Sequence, residues 1–296
     1  MTRWLVTGAG GMLGQDLVLR LRRSGADVIA LDRGHLDITD RAATAAALAQ
    51  ARPGVVVNCA GWNAVDDAEA KEDQALAVNG GGPAHLAAAC AGLGARLIQP
   101  STDYVFSGTA SAPYGEADEP APQTAYGRTK LAGERAVLAA MPDGGYVLRT
   151  AWLFGAHGPS FVTAMVRAEA TRDTVAVVDD QHGQPTWTAD LAGQIQLLAQ
   201  SAAPPGIYHA SSSGQTTWFG LARAIFELLG ADPDRVTPTS TDALARPARR
   251  PGYSVLSHAR WISAGLPPPP GWQHALRRAF PEIVAAERRR SASPPG

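Results

Sequence analysis

Arg3-Trp4-Leu5-Val6-Thr7-Gly8-Ala9-Gly10-Gly11-Met12-Leu13-Gly14 decides how the rest of this chain is read. The apolar run Trp4–Val6 predicts a short buried strand, and Leu13, Leu17 and Leu21 recur on one face of a following helix. A strand that enters a glycine turn and leaves as a helix gathers free N–H groups and the positive end of the helix dipole at one spot. Glycine suits that turn because the backbone angles are tight and a pyrophosphate must approach the backbone closely. A glycine cluster alone can be a plain structural turn; the strand–turn–helix context is what favours a dinucleotide site here. Gly8, Gly11, Met12 and Leu13 are the cofactor-binding positions expected of it.

Outward from the turn, short apolar runs alternate with helical periodicity. Asp27–Leu31, Val55–Asn58, Arg96–Gln99 and Tyr146–Arg149 read as further strands. Helices are expected over Asp40–Arg52, Asp66–Val78, Pro83–Ala91 and from Tyr126 to about Ala139. Such alternation implies an α/β fold, a Rossmann-type doubly wound parallel sheet covered on both faces. After Arg149 the pattern loosens. Val175–Val178 and Gly206–Ala210 read as strands, Thr188 as the cap of a helix, and Thr217–Leu229 as a helix; beyond Ala231, Pro, Ser and Arg increase. We therefore expect a dinucleotide-binding domain over residues 1–150, with 172–200 returning to it. Residues 151–171 and 201–296 would form a smaller, loop-rich C-terminal substrate lobe, its tail frayed from about residue 288.

With 45% apolar residues and a net charge of −1, the chain can pack a core but has no electrostatic basis for nucleic-acid binding. No apolar run is long enough for a membrane span. Cys59 and Cys90 lie in apolar surroundings and form no ligand cluster, so a reducing cytoplasm is the natural setting, and no residue is assigned to a metal.

Asp32 ends the second strand and would bind the adenosine ribose hydroxyls, which favours NADH; Arg33 would pair with a 2′-phosphate, which favours NADPH. Both cofactors are expected to be usable, NADPH slightly the better. Ala60 and Gly61, after the third strand, would let a cofactor approach the backbone.

Of 26 basic residues only Lys71 and Lys130 are lysines, and Lys130 falls four residues after Tyr126. An i,i+4 pair can be an ordinary helix-surface contact. A lysine there can also stabilise a phenolate and bring a tyrosine toward the working pH range. Together, the glycine turn and Tyr126-Gly127-Arg128-Thr129-Lys130 resemble the extended short-chain dehydrogenase/reductase superfamily. Within it, Ser101-Thr102-Asp103-Tyr104-Val105-Phe106, Arg149-Thr150-Ala151-Trp152-Leu153-Phe154-Gly155, Asp179–Thr186 and Arg250-Pro251-Gly252-Tyr253-Ser254 resemble the dTDP-4-dehydrorhamnose reductase family.

The resemblance implies reduction of the C4 ketone of a dTDP-linked 4-keto-6-deoxyhexose by NADPH or NADH. Tyr126 would be the proton donor, Lys130 its partner and the hold on the nicotinamide ribose of the cofactor, and Thr102 the hydroxyl that fixes the carbonyl oxygen. It adds Asp37 and Ile38 as adenine contacts and Asn79 as the organiser of the lysine. Val65, Tyr104 and Trp152 become a wall for the sugar, and Arg250 the cation for its pyrophosphate, with Arg249 as a competitor. Trp218 either contacts the substrate or anchors the lobe, and the anchor is the favoured reading. Family members include monomers and dimers, so a homodimer is compatible. Thr102-Asp103-Tyr104 lacks the glutamate of the related dehydratases, which argues for reduction. Two alternatives stay open: another dTDP-ketosugar of secondary metabolism, and a non-catalytic NADP-binding regulatory subunit.

Overall fold

The computed structural model describes residues 2–292. Its centre is a parallel sheet of six strands. Five are β1 (Arg3–Thr7), β2 (Asp27–Leu31), β3 (Val55–Asn58), β4 (Arg96–Thr102) and β5 (Gly145–Thr150). Gly206–His209 is the sixth, and the order is Gly206–His209, β5, β4, β3, β1, β2. The six helices up to β5 are α1 (Met12–Arg23), α2 (Arg41–Ala51), α3 (Val65–Ala70), α4 (Glu72–Leu76), α5 (Gly82–Leu93) and α6 (Ala125–Ala140). Residues of α1 and of the helix Thr188–Gln200 form the core on one face, with Leu17, Leu21, Leu191 and Ile195 against Val6 and Val57. Residues of α2, α5 and α6 form the core on the other, with Leu48, Leu86 and Val137 against Val56 and Leu97. The sheet is thus sealed on both faces, as apolar parallel strands require.

Helix starts follow local chemistry. Asp40 caps α2 by accepting from Ala43 N, and Thr124 caps α6 by accepting from Gly127 N. The helix expected over Asp66–Val78 is instead α3, α4 and a π turn at Ala77–Gly81. Thr188 opens its helix but caps nothing: its hydroxyl donates to Asp16 and Phe154 O.

Two strand placements correct the expected division of the chain. Val175–Val178 does not return to the central sheet; it pairs in parallel with Val236–Thr239 outside it. Gly206–His209, expected in the lobe, pairs with β5. Both are four-residue strands, and so short a segment carries no information about which sheet edge it will find. The C-terminal lobe also holds more regular structure than its Pro and Arg content suggests. Helices Phe161–Thr171, Trp218–Leu228 and Trp272–Ala292 pack Val162, Ile225, Phe226, Leu276 and Ile283 into a core of their own. Residues 288–292 continue that last helix where fraying was expected, and 293–296 lie outside the described residues. Among the described residues no helix is long and apolar enough to cross a membrane.

Glu134 of α6 and Arg149 of β5 form an ion pair at 2.7 Å, each side chain about 1% exposed. The guanidinium also lies 4.9 Å from the Phe106 ring. Arg149→Met would leave the Glu134 carboxylate buried without its cation. We expect a loss of about 3–5 kcal/mol, read as a lower urea midpoint at unchanged m-value.

Candidate active site

The sheet order reverses between β1 and β3, and their following loops leave to opposite faces, which opens a crevice at the carboxyl ends of both strands. Three cavities adjoin there, each sharing lining residues with the next. The first, about 760 Å³, is bordered by the β1 turn, Asp32–Thr39 and Cys59–Asn63. It adjoins a second, of about 400 Å³, through Gly11, Cys59, Ala60 and Gly61. Met12, Leu13, Val65, Thr102, Tyr104, Tyr126, Lys130 and Trp152 all border this second cavity. Tyr104 and Trp218 divide it from a third, of about 740 Å³, whose rim carries Arg172, Arg246, Arg249 and Arg250.

The first cavity fits the pyrophosphate end of a dinucleotide. Gly8 has φ +60°, and a Cβ there would stand 2.4 Å from Ala60 N, so the two crevice loops touch only because this residue is glycine. No side chain caps the α1 N-terminus at Gly11, which leaves its first N–H groups for a ligand. Asp32 is already engaged: its carboxylate accepts from Gly34 N at 2.9 Å and meets His35 Nδ1 at 2.7 Å. The His35 hydrogen bond above all holds its pKa below the usual carboxylate range. Arg33, Asp37 and Ile38 border the same cavity.

In the second cavity the close approach of α6 brings the sequence motif to the strand end. A Cβ on Gly127 would lie 2.2 Å from Tyr104 O, and one on Gly133 would lie 2.2 Å from Asn79 O. These glycines let α6 press against the β4 loop and the π turn, with Tyr126 and Lys130 facing Thr102. Lys130 Nζ donates to Pro100 O at 2.7 Å. Burial pulls the Lys130 pKa down to about 8, against the pull of Glu134. Burial pushes the Tyr126 phenol up to about 12, outweighing a hydrogen bond with Thr102. The sequence suggested that Lys130 would lower the tyrosine; in this structure desolvation outweighs any such effect. Thr102 Oγ1 accepts from Tyr104 N at 3.2 Å and donates to Asp103 Oδ1 at 3.0 Å. Asp103 is 2% exposed, and burial raises its pKa to about 6.

Two of the expected residues stand back from the second cavity. Asn79 borders none of the three; its amide clamps Trp62 through N–H and C=O at 2.8 and 3.0 Å and reaches Thr129 Oγ1 at 3.2 Å. Arg250 lies on the third cavity, held by Asp66 at 2.8 Å. Asp16 accepts from Thr188 and lies 3.3 Å from His157 Nε2. Among the described residues no group of three His, Cys, Asp or Glu could hold a metal.

Sequence reasoning missed parts of the lining. Trp218, read as an anchor, stacks on Trp152 at 3.6 Å and borders both the second and third cavities. Trp152 itself has φ +46°, a left-handed conformation unusual for a bulky residue, held by that stack and by close packing against Gly183. No local signal marks Arg172 or Arg246, because nothing but folding brings them to one cavity.

A family profile described as the RmlD substrate binding domain matches residues 2–284. A dTDP-4-dehydrorhamnose reductase of Streptomyces griseus is 60% identical over 285 residues, 95% of this chain and 94% of that protein. A dTDP-4-keto-6-deoxy-D-glucose reductase of Streptomyces niveus is 53% identical, covering 96% of this chain and 99% of its own. The crystal structure of dTDP-4-dehydrorhamnose reductase from Bacillus anthracis in complex with NADP superposes with TM-score 0.91 at 36% identity, over 95% of this chain and 99% of that one.

Gly8→Ala should force the two crevice loops apart at a cost of about 1–3 kcal/mol, seen as a lower melting temperature and weakened dinucleotide binding. Gly92→Ala is the control: nothing lies within 4 Å of its Cβ position, so the helix should be as stable or more so.

Proposed function

We propose, since this chain belongs to the RmlD substrate binding domain family, that it reduces the C4 ketone of dTDP-4-dehydro-L-rhamnose with NADPH or NADH. The observation that carries the reading is the convergence of Thr102, Tyr126 and Lys130 on one cavity. On one side lies a cavity shaped for a dinucleotide and on the other an arginine-rimmed one. When bound, the reduced nicotinamide supplies the hydride.

This chain's residues do the rest. Tyr126 gives its phenolic proton to the ketone oxygen. With its pKa raised to about 12, it is fully protonated at neutral pH and so loaded as a donor. Lys130 carries its charge below about pH 8 and would stabilise the phenolate left behind. Thr102 would hold the oxygen at a fixed angle to Tyr126. Val65, Tyr104 and Trp152 give the sugar an apolar wall suited to a C6 methyl group. Arg250 is the cation for the diphosphate, with Arg172, Arg246 and Arg249 on the same rim. Asn79 acts from behind, by fixing the Trp62 loop and the Thr129 turn of α6. The Streptomyces niveus relative favours a second reading, in which the substrate is another dTDP-4-keto-6-deoxyhexose on the same three residues.

Tyr126→Phe should lower kcat by about 10²–10⁴ while NADPH binding, followed by fluorescence, stays near the parent value. Unchanged turnover would remove Tyr126 from the mechanism. No turnover by the parent on any dTDP-ketosugar, with NADPH bound, would leave a binding subunit. NADPH affinity should fall as pH rises through about 8, where Lys130 loses its charge, and Lys130→Met should lack that limb.

A further inference from the structure

Thr102 has one hydroxyl proton and more than one acceptor for it. The reading above needs that proton on the ketone oxygen. The structure commits it elsewhere, because Thr102 Oγ1 donates to Asp103 Oδ1 at 3.0 Å. The opposite direction is closed while Asp103 is ionised, since a carboxylate only accepts. The oxygen of Thr102 meanwhile accepts from Tyr104 N, so the hydroxyl is held in place and only its proton is free to turn. Asp103 itself is sealed in at 2% exposure, with the Ser254 and Thr102 hydroxyls beside its carboxyl.

We propose that Asp103 is a positioning residue whose protonation state sets the direction of the Thr102 hydroxyl and thereby governs reduction. Protonated, Asp103 donates its O–H to Thr102 Oγ1, and Thr102 turns its own proton onto the ketone oxygen beside that of Tyr126. Ionised, Asp103 takes the Thr102 proton, and the ketone loses one of its two donors. No bond is made or broken at Asp103 beyond its exchange of a proton with water. The proposal rests on the assignment of Thr102 as a carbonyl donor. Burial favours the neutral acid and hydroxyls on Ser254 and Thr102 favour the anion, which leaves the change of state near pH 6. The other ionisable groups near this corner are Tyr126, Lys130 and Glu134 of α6, Arg149 of β5, Tyr104 next in the chain, and Arg250 and Asp66 beyond it.

The test is the pH profile of single-turnover reduction of dTDP-4-dehydro-L-rhamnose by NADPH-loaded protein, for the parent, Asp103→Asn and Thr102→Val. The parent rate should fall by at least about tenfold as pH rises from 5 to 8, a modest share of what loss of a carbonyl donor costs. Asp103→Asn, whose amide can still donate to Thr102, should be flat over that range and near the parent's acid-side rate. A carboxyl carbon signal present in ¹³C-aspartate-labelled parent and missing in Asp103→Asn should titrate at the same pH as the rate. An Asp103→Asn profile that keeps the parent's slope, or a carboxyl signal that does not titrate with the rate, overturns the proposal. Thr102→Val with parental rates would instead overturn the role given to Thr102. NADPH affinity and melting temperature of each variant, expected to match the parent, separate these outcomes from misfolding.

Discussion

Everything at the candidate site depends on how closely α6 can approach the sheet. A helix of 16 residues with Tyr126 in its first turn could sit against β4 and β5 at an ordinary packing distance, and the phenol would then miss the end of β4. Glycine at 127 and 133 removes the two Cβ atoms that would strike Tyr104 O and Asn79 O. The buried Glu134–Arg149 pair then ties the middle of the helix to β5. The π turn at Ala77–Gly81 belongs to the same arrangement, since the carbonyl that Gly133 meets lies within it and its Asn79 side chain reaches Thr129. Strand end, helix and π turn are held as one unit, and the three candidate catalytic side chains inherit its rigidity.

Burial is the second constraint, and it acts with opposite sign on acids and bases. It raises the Tyr126 phenol and the Asp103 carboxyl and lowers the Lys130 ammonium. The result is a set of groups whose ionisations are spread from about 6 to about 12 within one cavity. Spacing of that kind lets one site hold a protonated phenol and a charged ammonium at the same pH. The aromatic stack of Trp152 and Trp218 forms a wall of the same enclosure, and Trp152 keeps its strained backbone because the packing around it over-determines its position.

Much of this was legible in the residues themselves. The glycine turn after β1, the strand end at Asn58, and the Tyr126–Lys130 spacing on one helix are local patterns, and each keeps its meaning when read within ten residues. The lobe was less legible. Val175–Val178 and Gly206–His209 are both strands of only four residues, yet one pairs outside the central sheet and the other completes it. The helix Trp272–Ala292 was hidden by a proline at 281 and by its many arginines, although Leu276, Ile283 and their neighbours give it a buried face.

The sequence by itself determined the class of fold, the place of the glycine turn and the candidates for the catalytic tyrosine, lysine and threonine. Each of these is written in short-range periodicity or in the chemistry of a single turn. Only the tertiary structure decided that Asp32 is taken up by His35, that Arg250 rests on Asp66, that Trp218 divides two cavities, and that the Thr102 proton points at Asp103. Except for the short-range turns at Asp32 and Thr102, these join residues far apart in the chain. Apart from Asp32, which is exposed, the outcome is set by burial and by competition among partners that exist only once the chain has folded.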